Sequence, residues 1–219
     1  MKIQIKNLDQ STVVVLELPD ERRALQNFLS LLDAESISEI EISDYKESKY
    51  PRALSRFSAL KTLRFVRCHA LTGVGSELVK CQSLQTLAWV RCADFYDLRG
   101  IEQCKKLSVL HVSGCECFES LPESLQQMTH LQALDLSYST GIGWLDFENL
   151  PSSLRLLDIH GCWRADFDDS IAARMPLVSV QVQDVSRIAD FNAEPVLDNT
   201  VMHLRHTLSM RDGCGLDGD

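Results

Sequence analysis

Residues 107–115 read LSVLHVSGC, an apolar residue at positions one, four and six and a cysteine at nine. The same phrase returns along the chain. In register it runs Ile37-Ile40-Ile42-Tyr45, Leu60-Leu63-Phe65-Cys68, Leu84-Leu87-Trp89-Cys92 and Leu107-Leu110-Val112-Cys115. It continues as Leu131-Leu134-Leu136-Ser139, Leu154-Leu157-Ile159-Cys162 and Leu177-Val180-Val182-Val185. Successive first positions are 23 or 24 residues apart throughout. Alternation at positions four and six is the period of a strand, so those two side chains face inward and the intervening ones face outward. A unit this short cannot bury its own apolar residues. It becomes stable by stacking on its neighbours, so the fold must be a solenoid.

The phrase L-x-x-L-x-L-x-x-C at this period resembles the leucine-rich repeat. That resemblance implies an α/β solenoid of about seven 23–24-residue repeats, with a parallel concave sheet and a helical or irregular convex side. It covers residues 37–190. The stretch 107–139, LSVLHVSGCECFESLPESLQQMTHLQALDLSYS, resembles repeats of plant disease-resistance receptors of the TIR class. Cys81-x2-Leu84 through Cys92 resembles the cysteine-containing repeats of F-box proteins. As a compact repeat array without a nucleotide-binding motif, the chain is similar to bacterial leucine-rich repeat effectors. The tail after the last repeat is too short for the catalytic domain that ligase-type effectors add.

Composition sets the outer limits. An apolar content of 45% in 219 residues suits one domain with an ordinary core. The net charge of −9 argues against a general nucleic-acid binder, whose affinity comes from neutralising phosphates. Charge is uneven along the chain, about +5 over residues 56–111 and about −11 over residues 112–219. No apolar stretch of secretory or membrane-spanning length is visible, so a cytoplasmic, monomeric, reducing-compartment protein is expected, with no membrane contact.

Eight cysteines suggest disulfides at first sight. Four of them recur at position nine of separate coils, which reads instead as core thiols. There, beneath a turn, a small residue with a weak donor can serve carbonyls of the adjacent coil. Cys115 and Cys117 have no second Cys or His pair at zinc spacing, so no metal or other cofactor is expected. Of all the cysteines, only Cys214 in the glycine-rich tail reads as accessible.

The ends read as closures of the solenoid. Residues 1–36 hold two short strands, Lys2 to Lys6 and Thr12 to Leu18, then a helix capped by Asp20 that aligns Leu25, Phe28, Leu29 and Leu32 on one face. Residues 191–219 hold a helix opened by Pro195, with Leu197, Val201, Leu204 and Leu208 on one face, and then a fraying tail.

The pattern also maps a surface. The central outward positions run Glu41, Arg64, Ala88, His111, Asp135, Asp158 and Gln181, flanked by residues such as Thr62, Thr86, Val109, Ala133 and Leu156. Six strand spacings of about 4.8 Å make a face roughly 29 Å across, enough for a protein or peptide. The expected partner-binding residues are Arg64, Arg67, Arg91, His111, Asp135, Tyr138, Asp158, His160 and Gln181, with Trp144 and Trp163 as edge anchors. Basic residues meet acidic ones mid-row, which suits a partner of bipolar charge. The expected function is recognition of another protein, as an effector or adaptor. An inhibitor or immunity-type protein that blocks an enzyme is the alternative. A hydrolase is a distant third: His111 and Asp135 should be neighbours in the manner of an acid–base pair, yet a nucleophile with an oxyanion hole is missing, so the pair reads as surface electrostatics.

Overall fold

In the computed structural model, residues 1–7, 13–17, 22–166 and 179–181 are described. The strands among them, in chain order, are β1 (Lys2–Asn7), β2 (Val13–Glu17), β3 (Ile37–Ser43), β4 (Thr62–Val66), β5 (Thr86–Val90), β6 (Val109–Ser113), β7 (Ala133–Asp135), β8 (Leu156–Asp158) and β9 (Ser179–Gln181). One α-helix, α1 (Arg22–Leu31), lies between β2 and β3. All the strands belong to a single sheet of order β2-β1-β3-β4-β5-β6-β7-β8-β9. From β3 onward each strand pairs in parallel with the next. Parallel neighbours need a return path, which here holds short 3-10 turns at Arg52–Arg56, Ile101–Gln103, Glu123–Gln127 and Phe147–Asn149. This is a leucine-rich repeat solenoid.

Register follows the sequence period residue for residue. Ile40, Leu63, Leu87, Leu110, Leu134 and Leu157 lie side by side across the sheet, and all are buried. Each coil thus closes over the apolar residues of its neighbour. Aromatic residues widen the early coils into a stack. Tyr50 meets Phe65 edge-on at 5.0 Å, and Trp89 stacks on Phe95 at 4.2 Å between Phe65 and Phe118 farther out. Trp89 Nε1 donates to the Tyr50 hydroxyl at 2.9 Å, which in turn donates to the Gly73 carbonyl at 2.8 Å. A buried indole is fully satisfied in this way.

Position nine does the work its chemistry suggests. The thiols of Cys68, Cys92, Cys115 and Cys162 donate to the carbonyls of Ile42, Phe65, Trp89 and Leu136, each in the preceding coil. Ser139 fills the same position with a hydroxyl, which donates to the Val112 carbonyl at 2.7 Å and accepts from the Cys115 N–H at 3.1 Å. Ser139→Ala leaves that buried N–H and carbonyl without this partner, an expected loss of about 1–3 kcal/mol. Urea titration at unchanged m-value reads it. Ser139→Cys, the residue that other coils use, should lose less, and an alanine variant as stable as the parent would remove the hydroxyl from this role.

The amino-terminal elements extend the sheet. β1 pairs antiparallel with both β2 and β3, and its Ile3 and Ile5 join the core. α1 buries Leu25 and Leu29 and meets the Arg52–Arg56 turn through Gln26 Oε1, which accepts from the Ala53 N–H at 3.0 Å. The Asp20 start of this helix, the 182–190 end of the last repeat, the Pro195 helix and the glycine-rich tail with Cys214 lie outside the described residues. Among the described residues, no helix is long and apolar enough to cross a membrane.

Candidate recognition face

Strand register builds the central outward row. Glu41 pairs with Arg64, Arg64 with Ala88, Ala88 with His111, His111 with Asp135, Asp135 with Asp158, and Asp158 with Gln181 by backbone position. The alternation of each strand therefore puts seven residues from seven coils on one line. Arg64, Asp158 and His160 are half-buried and face solvent in part. Arg64 Nε is itself hidden from water and has no hydrogen-bond partner among the described residues.

His111 and Asp135 depart from expectation. They are neighbours, with Nδ1 and Oδ2 3.0 Å apart, but the pair is buried rather than a surface one. Asp135 Oδ1 also accepts the Ser137 N–H at 2.9 Å, and Asp158 Oδ1 accepts the His160 N–H at the same distance. Both carboxylates thus close the turn that ends their own strand. Ser113, the hydroxyl nearest in sequence on the same strand, is also buried, and Cys115 turns into the core.

Arg67, Arg91 and Tyr138 stand at a special backbone position. Each is the residue before position nine, and with Asp44 they take φ between 53° and 58°. Gly114 and Gly161 occupy the same place at φ 63° and 73°. Every coil from the first to the sixth therefore leaves its strand through one left-handed residue, a conformation costing a side-chain-bearing residue about 1–2 kcal/mol. The bend carries these side chains off the strand face to its carboxyl-terminal edge. There they stack coil on coil. Arg67 forks onto Asp44 through Nε at 2.7 Å and Nη2 at 2.9 Å, and this hydrogen-bonded guanidinium holds the Asp44 carboxyl below its ordinary value. The Tyr138 ring meets the His160 ring edge-on at 5.3 Å, and a Cβ on Gly161 would come within 2.5 Å of it. Asp44 was not foreseen as the partner of Arg67; its sequence signal is that it stands one repeat earlier at the same position.

Trp144 and Trp163 are 52% and 63% exposed. Trp144 pairs with Asp166 as an isolated parallel bridge and walls an open groove of about 420 Å³ with Glu119, Leu121, Asp146 and Asn149. Trp89, by contrast, is wholly core.

The expectation that only Cys214 is accessible is corrected by Cys117, which is exposed because it lies two residues past the strand turn, beyond the inward-facing Cys115. Burial pushes the thiols of Cys81, Cys115 and Cys162 up to about 12 and that of Cys104 to about 11. The thiolate is the reactive form, so at pH 8 these four should resist alkylation in the folded chain. Peptide-resolved mass spectrometry after iodoacetamide treatment should find Cys117 labelled first among the described cysteines. Equal labelling of Cys115 and Cys117 in the folded state would contradict the assignment.

No family model matches the chain. Several solved structures are similar to it in fold. The leucine-rich repeat domain of the type III effector XopL is 16% identical, with a TM-score of 0.46, over 75% of this chain and 71% of that one. Internalin C2 of Listeria monocytogenes is 13% identical, with a TM-score of 0.42, over 86% and 94% of the two chains. Internalin F of the same organism is 12% identical, with a TM-score of 0.41, over 79% and 66%. The repeat period and the strand register carry the fold assignment.

Proposed function

We propose that this protein is a recognition scaffold that binds a segment of another protein through the concave face of β3–β5 and the adjoining turn row. The observation that carries this is Arg64. It stands mid-row on a rigid sheet, half-buried between Glu41 and Ala88, with an Nε donor shielded from water and unmatched among the described residues. A shielded donor left unsatisfied costs about 1–3 kcal/mol, which a carboxylate from a partner would return. Arg91 lies one coil further on, at the strand edge, and presents a second cation to the same partner. Glu41 on β3 supplies the opposite sign, Glu39 being held by Lys6 Nζ of β1 at 3.2 Å, so the matching segment is bipolar: acidic where it crosses β4 and β5, basic beside Glu41.

A preformed sheet loses little freedom on binding, which favours rigid-template recognition in the manner of an effector or adaptor. An inhibitor that blocks one enzyme would use the same face and differs only in abolishing its target's activity. The exposed Trp144 and Trp163 offer a second contact on the turn edge. The test is affinity capture with mass spectrometry, followed by titration of the captured partner against Arg64→Glu. Reversal of the central charge should weaken binding by about tenfold or more while the fold is kept. Undiminished affinity for the variant removes β3–β5 as the binding face.

A further inference from the structure

Between Lys106 and Arg155 the chain carries six acidic side chains and neither lysine nor arginine. Of the six, only Asp135 is buried. Two of the others, Glu119 and Asp146, line the groove of about 420 Å³ beside Trp144, and none of its lining residues is basic. Among the described residues, none forms an ion pair or hydrogen bond with the Glu119 carboxylate. Asp146 accepts the Glu148 N–H on Oδ1 at 2.9 Å, which fixes the carboxylate and leaves Oδ2 without a partner among the described residues. A sister groove over the early coils differs in this respect. Lys49 stands among its lining residues, and Arg99 clasps its Asp97 through Nε at 2.9 Å and Nη2 at 2.7 Å. Asp97 and Trp144 hold the same place in their coils, thirteen residues after Leu84 and Leu131. The backbone around Trp144 is fixed on both sides. The Leu145 N–H donates to the Asp166 carbonyl at 2.9 Å, the Asp166 N–H donates to the Gly143 carbonyl at 2.7 Å, and Ile142 and Leu145 are buried. The indole between these anchors is 52% exposed, and a Cβ on Gly143 would meet nothing within 4 Å. Packing gives no reason for a large aromatic held in place and left wet beside two carboxylates that lack a counter-ion.

We propose that this groove binds the guanidinium of an arginine side chain from a partner protein. An indole face attracts a cation, and a carboxylate beside it supplies a charge-assisted acceptor. Guanidinium meets both demands at once, because it is planar enough to lie on the ring while its N–H fork reaches a carboxylate. Ammonium is a compact, strongly hydrated charge and gains less from the ring. Asn149 lines the same groove and adds a side-chain carbonyl as a further acceptor. A metal ion is served less well: among the described residues no three His, Cys, Asp or Glu side chains converge to hold one, whereas hard cations take six or more oxygens. The groove is also of small-ligand size, about 300–1,000 Å³, and its fixed backbone keeps the ordering cost of binding low. The site gives the second contact proposed above its chemical partner, and rests on that reading only in assigning the arginine to a protein.

The test titrates the full chain with N-acetyl-arginine amide, a probe that needs neither the partner nor the β3–β5 face, so failure of the concave reading leaves its result untouched. Proton–nitrogen correlation NMR follows the three tryptophan indole N–H signals, that of Trp144 being assigned by its loss in Trp144→Phe. The Trp144 signal should shift saturably with a midpoint on the order of 1–10 mM. N-acetyl-citrulline amide, the neutral isostere, should bind at least about tenfold more weakly, and Glu119→Gln with Asp146→Asn should raise the arginine midpoint by about tenfold or more. The asparagine side chain still accepts from the Glu148 N–H, Glu119 is exposed, and an unmoved Trp89 signal reports an intact core. Where Trp89 moves in the double variant, Glu119→Gln alone is read in its place. The site is overturned by the lack of a saturable shift, by an equal response to the citrulline derivative, by an unchanged midpoint in the carboxylate variant, or by Trp163 moving on the same curve. Equal affinity for N-acetyl-lysine amide overturns the choice of guanidinium.

Discussion

Replacing Trp89 by alanine should remove about 3–5 kcal/mol, the range for truncating a large buried aromatic residue, out of a total that for such domains is about 5–15 kcal/mol. The indole has no solvent exposure and joins rings from successive coils, 4.2 Å from Phe95 and 6.4 Å from Phe65. The cavity opens between coils that stabilise one another only as neighbours, so the loss falls on the interfaces either side of β5 and broadens the denaturation curve. Trp89→Phe keeps the stack and gives up the bond to Tyr50, an expected loss of about 1 kcal/mol. Fluorescence gives an independent reading. Trp144 and Trp163 are exposed, so the blue-shifted emission of the native chain should vanish with Trp89 while the red-shifted part remains. An alanine variant that melts with the parent would show that the stack is not what holds these coils.

The second large effect concerns His111 and Asp135. Asp135→Ala removes the partner of His111 Nδ1 at 3.0 Å and the acceptor for the Ser137 N–H at 2.9 Å, inside a buried site. Breaking a buried pair from one side costs about 3–5 kcal/mol, because the surviving polar group stays in place after its compensation is gone. Replacing both, as His111→Leu with Asp135→Leu, removes the mismatch and should recover much of that loss. A double-mutant cycle by urea denaturation measures the coupling. Simple additivity of the two single changes would mean that the pair contributes nothing beyond the packing of each side chain. The pair's burial also bears on the acid–base reading, since a group shielded from water must be uncovered before a substrate can reach it.

The arrangement of strands was legible from the phrase alone because the inward ladder Ile40, Leu63, Leu87, Leu110, Leu134 and Leu157 is the fold, written at one residue per coil. The role of position nine was legible for the same reason. The left-handed turn was not. Apolar periodicity reports which way a side chain points and carries no information about φ, and Arg67, Arg91 and Tyr138 are residue types that seldom take positive values. Only Gly114 and Gly161, at the same place in their coils, hinted at it. The burial of outward positions on β6, β7 and β8 was missed for another reason: alternation separates the two faces of a strand and does not say how deeply each is shielded. Val109, Ala133 and Leu156 were the available signal, three successive apolar residues on a rung where other coils place Glu39, Thr62 and Thr86.

The ladder of thiol and hydroxyl bonds beneath the turns has a mechanical consequence. Cys68, Cys92, Cys115, Ser139 and Cys162 each tie their coil to the one before it by a bond that runs along the long axis of the solenoid. Tension applied between the two ends loads these ties in series, so the weakest yields first and leaves the rest under the same force. The molecule would lengthen in steps rather than smoothly, each coil paying out its 23 or 24 residues as roughly 80 Å of extended chain, like a stitched seam opening one loop at a time.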